Sequence, residues 1–321
     1  MAGNAFLWLS DATLAGLDIT TGDVTACIEA AVAAKVGGAL WAAPKAAVLP
    51  GDGRYMMATL TAGDTPAFVA VKTVMVSPGN PARGLSSING AILLLDSETG
   101  LMRAVMGANW ITAVRTSGLS AVIAKRLADP ASSIAAFIGC GVEARSHLDA
   151  FADLFPLREI RALGRGRPNI DALCAAAAAR GLGSTVCSDP RAALEGADIV
   201  VTSITLAYTV KPFLDARWLK PGAFAAITDL AIPWEPEGMA AFDPIFIDDL
   251  EQEAASPKPM VRRELVKGDL AGLVSGTVGA GFDPGRRSAF VFRGIGLGDY
   301  AVAALAYERA TAAGRGVKIG D

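Results

Sequence analysis

Short apolar runs alternate with amphipathic helical segments through the middle of the chain. Runs of strand character at residues 133–138 and 158–163 are each followed by a helical pattern, at 142–155 and 169–180. Further short runs of strand character lie at 184–187, 198–203, 223–228 and 244–247. Strands that alternate with helices in this way predict a doubly wound parallel sheet with helices on both faces, which is a Rossmann-type α/β fold.

The first third of the chain has a different pattern. Residues 23–38 are alanine-rich and amphipathic, which predicts a helix. Residues 68–76 form an apolar strand, and the strands at 91–96 and 101–106 flank the turn Ser97-Glu98-Thr99-Gly100, which indicates a hairpin. The next helix is predicted at 115–128.

The end of the chain returns to the character of its beginning. Residues 288–294 have strand character, and residues 300–313 have the pattern of a closing helix. We therefore expect an α+β domain that is built from residues 1–115 together with 286–321, with a dinucleotide-binding domain inserted between them at 116–285.

A glycine-rich turn lies at the junction of the first predicted strand and helix of the inserted domain. The residues Gly139-Cys140-Gly141-Val142-Glu143-Ala144 fit G-x-G-x-x-A. Gly139 permits the tight turn and Gly141 lets the backbone approach a pyrophosphate, which the helix N-terminus then faces. The alternative is an ordinary turn between a strand and a helix. The predicted cofactor contacts here are Gly139, Cys140 (through its backbone), Gly141, Val142 and Glu143.

The second predicted strand of this domain ends without a carboxylate. In NAD-binding domains an acidic residue at this place binds the ribose hydroxyls, but the chain reads Leu163-Gly164-Arg165-Gly166-Arg167. Two guanidinium groups suit a 2′-phosphate, so Gly164, Arg165 and Arg167 favour NADP(H), with NAD(H) possible. The alternative is a pair of solvated loop arginines.

Four charged residues lie in apolar surroundings, where a charge is costly without a partner. Lys72 interrupts an apolar strand, Arg115 follows an apolar segment, Lys45 follows Pro44, and Asp229 follows a predicted strand at the end where such folds bind ligands. Each has a simpler explanation: Lys72 could be a lysine that reaches out of a strand, and Arg115 could form a salt bridge at a helix start. Lys45 could be a surface lysine, and Asp229 could cap a helix. The single histidine, His147, follows the glycine loop and is expected to be structural.

The composition of the chain argues against several classes of binding partner. The chain has 321 residues, 52% of them apolar, and a net charge of −3, so a nucleic-acid partner is not expected. Four cysteines without ligand spacing and one histidine predict no metal site. We see no signal peptide and no apolar run long enough to cross a membrane, which predicts a cytoplasmic protein.

In their order along the chain, several motifs resemble the ornithine cyclodeaminase/mu-crystallin family over nearly the full length. They are Val71-Lys72, Ser77-Pro78-Gly79-Asn80, residues 91–100, Thr112-Ala113-Val114-Arg115-Thr116, residues 138–147, Asp229, and Gly296-Leu297-Gly298-Asp299.

The resemblance implies a homodimer that acts on α-amino or α-imino acids with NAD(P). By position, Lys72, Arg115 and Lys45 (where the family usually has arginine) would hold the substrate carboxylate, with Lys72 also counted as catalytic. Asp229 would be the acid–base residue. Thr116 would contact the cofactor phosphates with the glycine loop, and Thr202 and Ser203 would line the cofactor. Separately from the resemblance, we expect Asp299 to cap the last helix or to orient the nicotinamide amide.

Departures from the family pattern narrow the activity. The segment Tyr55-Met56-Met57 lies where true cyclodeaminases carry a glutamate, and Tyr55 cannot supply that negative charge. Pro233 stands where many members carry a lysine. These differences favour a reductase of α-imino acids (ketimines such as pyrroline-2-carboxylate), equally an L-amino-acid dehydrogenase, with Met57 among the substrate contacts. Two alternatives remain: an ornithine cyclodeaminase that recycles NAD, and a mu-crystallin-like protein that binds NADPH and a small ligand.

Overall fold

The computed structural model describes residues 5–205 and 209–320, which form two compact units. The first unit comprises the chain up to Arg115 together with the chain from Ile295, and the second is Thr116–Gly294. The second boundary therefore lies between Gly294 and Ile295, rather than between residues 285 and 286 as predicted.

The helices and strands are numbered here in their order along the chain. The first segment contains β1 (Phe6–Leu9), α1 (Asp11–Ala15), α2 (Thr21–Val36), β2 (Leu40–Ala42), β3 (Ala46–Val48), β4 (Tyr55–Asp64), β5 (Ala67–Val76), β6 (Ile88–Asp96) and β7 (Met102–Gly107). Then come α3 (Ala108–Leu127), β8 (Ile134–Ile138), α4 (Val142–Leu154), β9 (Glu159–Leu163), α5 (Arg167–Ala179), β10 (Gly183–Val186), α6 (Pro190–Leu194), β11 (Ile199–Thr202) and β12 (Phe224–Ile227). The last are β13 (Phe242–Ile247), α7 (Leu250–Ala254), β14 (Val266–Asp269), α8 (Leu270–Ser275), β15 (Arg287–Val291), α9 (Gly296–Ala312) and β16 (Val317–Ile319).

The first unit is built on a mostly antiparallel sheet. Its strand order is β16-β1-β7-β6-β5-β4-β2, and β3 pairs with the outer part of β4. Helix α9 packs on β5 and β4, and α2 packs on α9. Because side chains alternate along a strand, Ala70, Lys72 and Val74 of β5 share one face, and all three are buried. A charged side chain therefore lies in the apolar layer of this unit.

The second unit is a parallel sheet with the order β10-β9-β8-β11-β12-β15-β13-β14. Its inner strands β8, β11 and β12 are almost wholly buried, as expected for a sheet that is covered on both faces. The predicted doubly wound fold is confirmed. The strand order reverses between β8 and β11, and such a switch point is where these sheets bind ligands.

The strand predicted at 288–294 belongs to a different sheet from the one expected. Strand β15 pairs in parallel with β12 and with β13, so it is part of the second unit. Its residues Ala289 and Val291 pack in the apolar core of that unit. An apolar run indicates a strand, but it carries no information about which of two sheets the strand joins.

Helix α3 begins at Ala108, earlier than the predicted start at 115. The carboxylate of Asp11 accepts a hydrogen bond from the backbone N–H of Trp110 at 2.8 Å and so satisfies the helix start. A side chain at Gly107 would approach that carboxylate to 2.7 Å, so a glycine fits this place. The cap comes from a residue far away in the sequence, so no local motif indicated it. Within the described ranges, no helix is both long and apolar enough to cross a membrane.

Candidate functional site

The first unit contains a buried cluster of charges around Asp299. Lys72 Nζ lies 2.6 Å from Asp299 Oδ1, and Arg115 Nε lies 3.0 Å from the same oxygen. Thr59 donates its hydroxyl to Asp299 Oδ2 at 3.2 Å. The side chains of Lys72 and Asp299 are 1% and 2% exposed, and that of Arg115 is 6% exposed. One carboxylate thus holds two cations away from water.

The elements explain how the cluster forms. Lys72 projects from the middle of β5 towards the layer that contains α9, Arg115 lies in α3, and Asp299 lies in the first turn of α9. A carboxylate in the first turn of a helix is stabilised by the helix dipole. The prediction that Asp299 caps the last helix was wrong, because the cap residue is Ile295 and Asp299 instead binds Lys72 and Arg115.

The electrostatics of the cluster show an excess of positive charge. Burial and the neighbouring charge of Arg115 lower the pKa of Lys72 to about 8, although Asp299 opposes them. Burial alone would raise the pKa of Asp299, but the charges of Lys72, Arg115 and Lys45 outweigh it and lower that pKa. Lys45 is half-buried between β2 and β3 and acts on both groups. Two buried cations that share one carboxylate leave room for a second anion.

Met57 lies on β4 close to this cluster. It is the cross-strand partner of Val74, and Thr59, two residues further along the same face of β4, is the partner of Lys72. The Tyr55 hydroxyl reaches the sulfur of Met57 at 3.7 Å. At this position, therefore, the face of β4 beside the charged cluster carries a thioether, which has no charge.

In the second unit the glycine loop joins β8 to α4 at the switch point. Gly139 has a φ of 90°, and a side chain there would approach the backbone oxygen of Ser203 to 2.6 Å. Ser203 lies just after β11, so the loops that follow β8 and β11 touch. Among residues 5–205 and 209–320, and apart from the chain neighbours of Gly141, no atom lies within 4 Å of where a side chain at Gly141 would start. No described side chain is bonded as a cap to the helix that Gly141 opens. A helix N-terminus with an open approach suits a phosphate.

The predicted cofactor residues near this loop differ in their surroundings. Burial raises the pKa of the Cys140 thiol to about 11, and a side chain at Gly164 would meet its Sγ at 3.1 Å, so the sulfur faces the next loop. Arg165 and Arg167 are exposed, and Arg167 pairs with Asp171 at 2.8 Å. Thr116 is buried in the first part of the second unit.

Asp229 follows β12 and is enclosed by the loop that follows β11. Its Oδ1 accepts the Thr202 hydroxyl at 2.9 Å, and its Oδ2 accepts the backbone N–H of Ile204 at 3.1 Å. Burial raises the pKa of Asp229 to about 7, although the bonds from Ile204 and Thr202 oppose it. Asp229 does not cap a helix, which was the simpler reading of the sequence. Its pKa suits a group that gives and takes a proton near neutral pH.

Two side chains have roles that the sequence did not reveal. Thr202, which is also predicted to line the cofactor, donates its buried hydroxyl to Asp229 and accepts the indole N–H of Trp234 at 3.3 Å. Trp234 was not among the predicted site residues. A buried tryptophan needs a partner for its N–H, but the sequence could not show that the partner is the threonine that holds Asp229.

His147 has structural contacts. Its Nδ1 lies 2.8 Å from the backbone oxygen of Glu143 and its Nε2 lies 2.9 Å from the Ser120 hydroxyl. Burial lowers the pKa of His147 to about 4, so the ring is neutral at neutral pH. In the described part of the chain, no three histidine, cysteine or acidic side chains form a group that could hold a metal ion.

Comparison with known proteins finds relatives whose names agree with the family that the sequence motifs resemble. The alanine dehydrogenase of Archaeoglobus fulgidus is 30% identical over 283 residues, which cover 84% of each chain. The ketimine reductase mu-crystallin of Rattus norvegicus is 36% identical over 155 residues, 48% of each chain.

Among solved structures, the pyrroline-2-carboxylate reductase of Thermococcus litoralis, in complex with NADH and L-proline, has a similar fold. It superimposes with a TM-score of 0.89 at 23% identity, and the match covers 98% of this chain and 100% of that one. The family model for ornithine cyclodeaminase/mu-crystallin proteins matches residues 12–314. The chain therefore belongs to the ornithine cyclodeaminase/mu-crystallin family.

Proposed function

We propose that the protein is an NAD(P)H-dependent reductase of α-imino acids, which also runs in reverse as an L-amino-acid dehydrogenase. The observation that carries this proposal is the buried excess of positive charge around Asp299, where Lys72 and Arg115 share one carboxylate oxygen. A second carboxylate, that of the substrate, would balance this charge. Relatives named as a ketimine reductase and an alanine dehydrogenase support the oxidoreductase class.

The substrate carboxylate would bind to Lys72 and Arg115, with Lys45 as a third cation. Charge-assisted hydrogen bonds are strongest where water is excluded, and both side chains are buried. A carboxylate that is fixed in this way brings the neighbouring C=N carbon to a defined place, which converts the reaction into a nearly unimolecular step. The segment Tyr55-Met56-Met57, in place of an acidic residue, favours a substrate with an apolar side chain or ring over a diamino acid such as ornithine.

The reduced nicotinamide, when bound, supplies the hydride that reaches the imine carbon. The imine nitrogen also needs one proton to become the amine. Asp229, with its pKa raised to about 7 by burial, would donate that proton in reduction and accept it in oxidation. Thr202 and Ile204 hold its two oxygens in fixed directions.

The second unit would bind the dinucleotide at its switch point. The residues fit such a group because Gly141 leaves an open approach to the first turn of α4. Ser203, Thr116 and the backbone from Gly139 to Glu143 would contact it. Arg165 and Arg167, with no acidic residue among Gly164–Arg167, support a preference for NADP(H) over NAD(H). The family resemblance further supports a homodimer.

Cofactor oxidation tests the proposal directly. The purified protein is mixed with NADPH and, separately, pyrroline-2-carboxylate, piperideine-2-carboxylate, or a 2-oxoacid with an amine. We expect at least one imino acid to be reduced to its L-amino acid. Failure with all of them would overturn the proposal. Release of ammonia and proline from ornithine without net cofactor turnover would establish the cyclodeaminase instead.

A further inference from the structure

The loop that follows Asp229 places a tryptophan against the threonine that holds it. Trp234 is 1% exposed, and its Nε1 lies 3.3 Å from Thr202 Oγ1. The indole ring packs against the edge of Phe242, with ring centres 5.4 Å apart. The backbone of Trp234 also forms a β-bridge with Leu214. The ring is therefore held by neighbours on its own unit and cannot turn freely.

The direction of each hydrogen bond follows from the chemistry of the groups. An indole N–H can only donate, so Thr202 Oγ1 must accept from Trp234. A hydroxyl has a single hydrogen, and with the indole approaching the lone pairs that hydrogen points to Asp229 Oδ1 at 2.9 Å. The other carboxylate oxygen, Oδ2, takes the backbone N–H of Ile204. Trp234 thus sets where the hydroxyl hydrogen of Thr202 goes.

We propose that Trp234 is a positioning residue for Asp229: through Thr202 it keeps a hydroxyl donor on the carboxylate and so fixes both its orientation and its readiness to lose a proton. This inference rests on the proposed role of Asp229 as the proton carrier. It adds to that role a means of orienting the Asp229 carboxylate, which neither the glycine loop nor the charged cluster provides.

The surroundings of Asp229 make this donor important. Burial, which disfavours the charged form, is opposed only by hydrogen bonds from the backbone of Ile204, the Thr202 hydroxyl and the backbone of Asp229 itself. In residues 5–205 and 209–320 no charged side chain contributes to this balance. Thr202 is then the one described side chain that stabilises the carboxylate. Loss of its hydrogen bond should strengthen proton binding at Asp229.

The backbone between Asp229 and Trp234 is held in an uncommon conformation. Leu230 and Ala231, between Asp229 and the tryptophan, both have positive φ, 59° and 57°. Residues other than glycine rarely adopt this conformation, and it persists where the surroundings impose it. The buried Trp234 and the backbone N–H groups of Phe213 and Leu214, which both donate to the Pro233 oxygen, supply such surroundings.

The experiment measures the titration of Asp229 itself, by NMR of protein with ¹³C-labelled aspartate, with the signal assigned by its loss in Asp229→Asn. The variants are Thr202→Val, Trp234→Phe and the two combined. Thr202→Val should strengthen proton binding at Asp229 about tenfold. Trp234→Phe should change it in the same direction by less. The double variant should match Thr202→Val, because Trp234 acts only through Thr202.

Matched controls separate the hydrogen bonds from general packing effects. Thr228 donates to the backbone oxygen of Thr202, not to the carboxylate, and Trp218 packs against the same apolar core outside this network. Thr228→Val and Trp218→Phe should leave the titration of Asp229 unchanged. Thr202→Ser, which keeps the hydroxyl, should also behave as the wild type.

A second measurement covers the possibility that Trp234→Phe does not fold. The indole ¹⁵N–H signal of Trp234 should shift with the ionisation of Asp229 in the wild type and not in Thr202→Val. An indole signal that ignores this ionisation in the wild type would overturn the inference, as would additive effects in the double variant. If these couplings hold but no imino acid is reduced, the proposed function fails and the positioning role stands.

Discussion

Lys72 and Asp299 are 227 positions apart in the sequence, and their side chains meet at 2.6 Å in an almost fully buried ion pair. The pair joins the middle of β5 to the first turn of α9, so the last part of the chain is tied to the sheet formed by the first part. Arg115 binds the same carboxylate oxygen. The arrangement that would receive a substrate carboxylate also connects distant segments of the first unit.

Replacement of Asp299 should therefore reduce stability strongly. Asp299→Asn leaves Lys72 and Arg115 buried without a counter-charge, and breaking a buried pair in this way costs about 3–5 kcal/mol. Urea unfolding, monitored by circular dichroism, measures the change. The control is Glu195→Gln, which removes an exposed partner of Arg191 and should cost less than about 0.5 kcal/mol. Equal effects of the two substitutions would show that the buried ion pair contributes no more to stability than the exposed one.

Replacement of Arg115 should affect the substrate and spare the cofactor. Arg115→Ala removes one of the two buried cations, so we expect KM for the imino acid to rise and kcat to fall, with kcat/KM lower by about 100-fold. Cofactor affinity, measured by fluorescence titration with NADPH, should stay nearly unchanged. Arg115→Lys, which keeps the charge without the planar fork, should recover part of the loss. An equal loss of cofactor binding would place Arg115 at the phosphates instead.

The parallel sheet was predictable because its signals are local. The inner strands β8, β11 and β12 of the second unit are short apolar runs, and the glycine loop follows β8 directly. The position of β15 was not predictable, since strand character does not specify a partner strand. The start of α3 was also missed, because its cap is the side chain of Asp11.

The candidate site was only partly predictable for a related reason. Lys72, Arg115 and Asp229 were recognisable because charges in apolar segments are unusual. The prediction of Asp299 as a helix cap was wrong, since its partners come from other parts of the chain. The contact of Trp234 with Thr202 joins two loops of the second unit, and no spacing in the sequence encodes it.

Cofactor preference should depend on the loop after β9. If Arg165 and Arg167 bind a 2′-phosphate, Arg165→Ala and Arg167→Ala should each lower kcat/KM with NADPH about tenfold and leave the value with NADH unchanged. The exposed pair of Arg167 with Asp171 is too weak to hold Arg167 away from a phosphate. Arg180→Ala, which removes a partner of Asp149 and Asp153, is the control. A wild-type enzyme that strongly prefers NADH would refute this assignment.

The pH dependence of the two reaction directions should differ. Reduction needs Asp229 in its acid form, so kcat/KM should fall as the pH rises through the pKa of Asp229, about 7. Oxidation needs its base form and should rise over the same range. Because the pKa of Lys72 is about 8, carboxylate binding should weaken above that pH in both directions. Rates of oxidation should then show a narrow maximum, and Asp229→Asn should abolish its acidic limb. The pKa values of these two groups set a range of about pH 6 to 8. A rate of oxidation that stays constant over this range would contradict the assignment of Asp229 as the proton carrier.

Asp229 should also leave a signature in stability that needs no substrate. Its pKa is raised from 3.8 in the unfolded chain to about 7 in the folded protein, so folding is favoured by protonation. The stability that it contributes is present below pH 3.8 and is lost as the pH rises towards 7. Between low pH and pH 8, the free energy of unfolding of the wild type should therefore fall by about 4 kcal/mol more than that of Asp229→Asn.

The comparison with Asp229→Asn is essential because other buried groups titrate in the same range. The pKa of His147 is lowered from 6.5 to about 4, so its contribution has the opposite sign: stability falls as the pH drops below 6.5. Subtraction of the Asp229→Asn curve removes this term, since both proteins retain His147. Urea unfolding at intervals from about pH 4 to 8 gives both curves within the range set by these pKa values. A difference curve that is flat over this range would mean that Asp229 is already ionised in the folded protein at pH 4, and the burial of its carboxyl could then not prepare it to carry a proton near neutral pH.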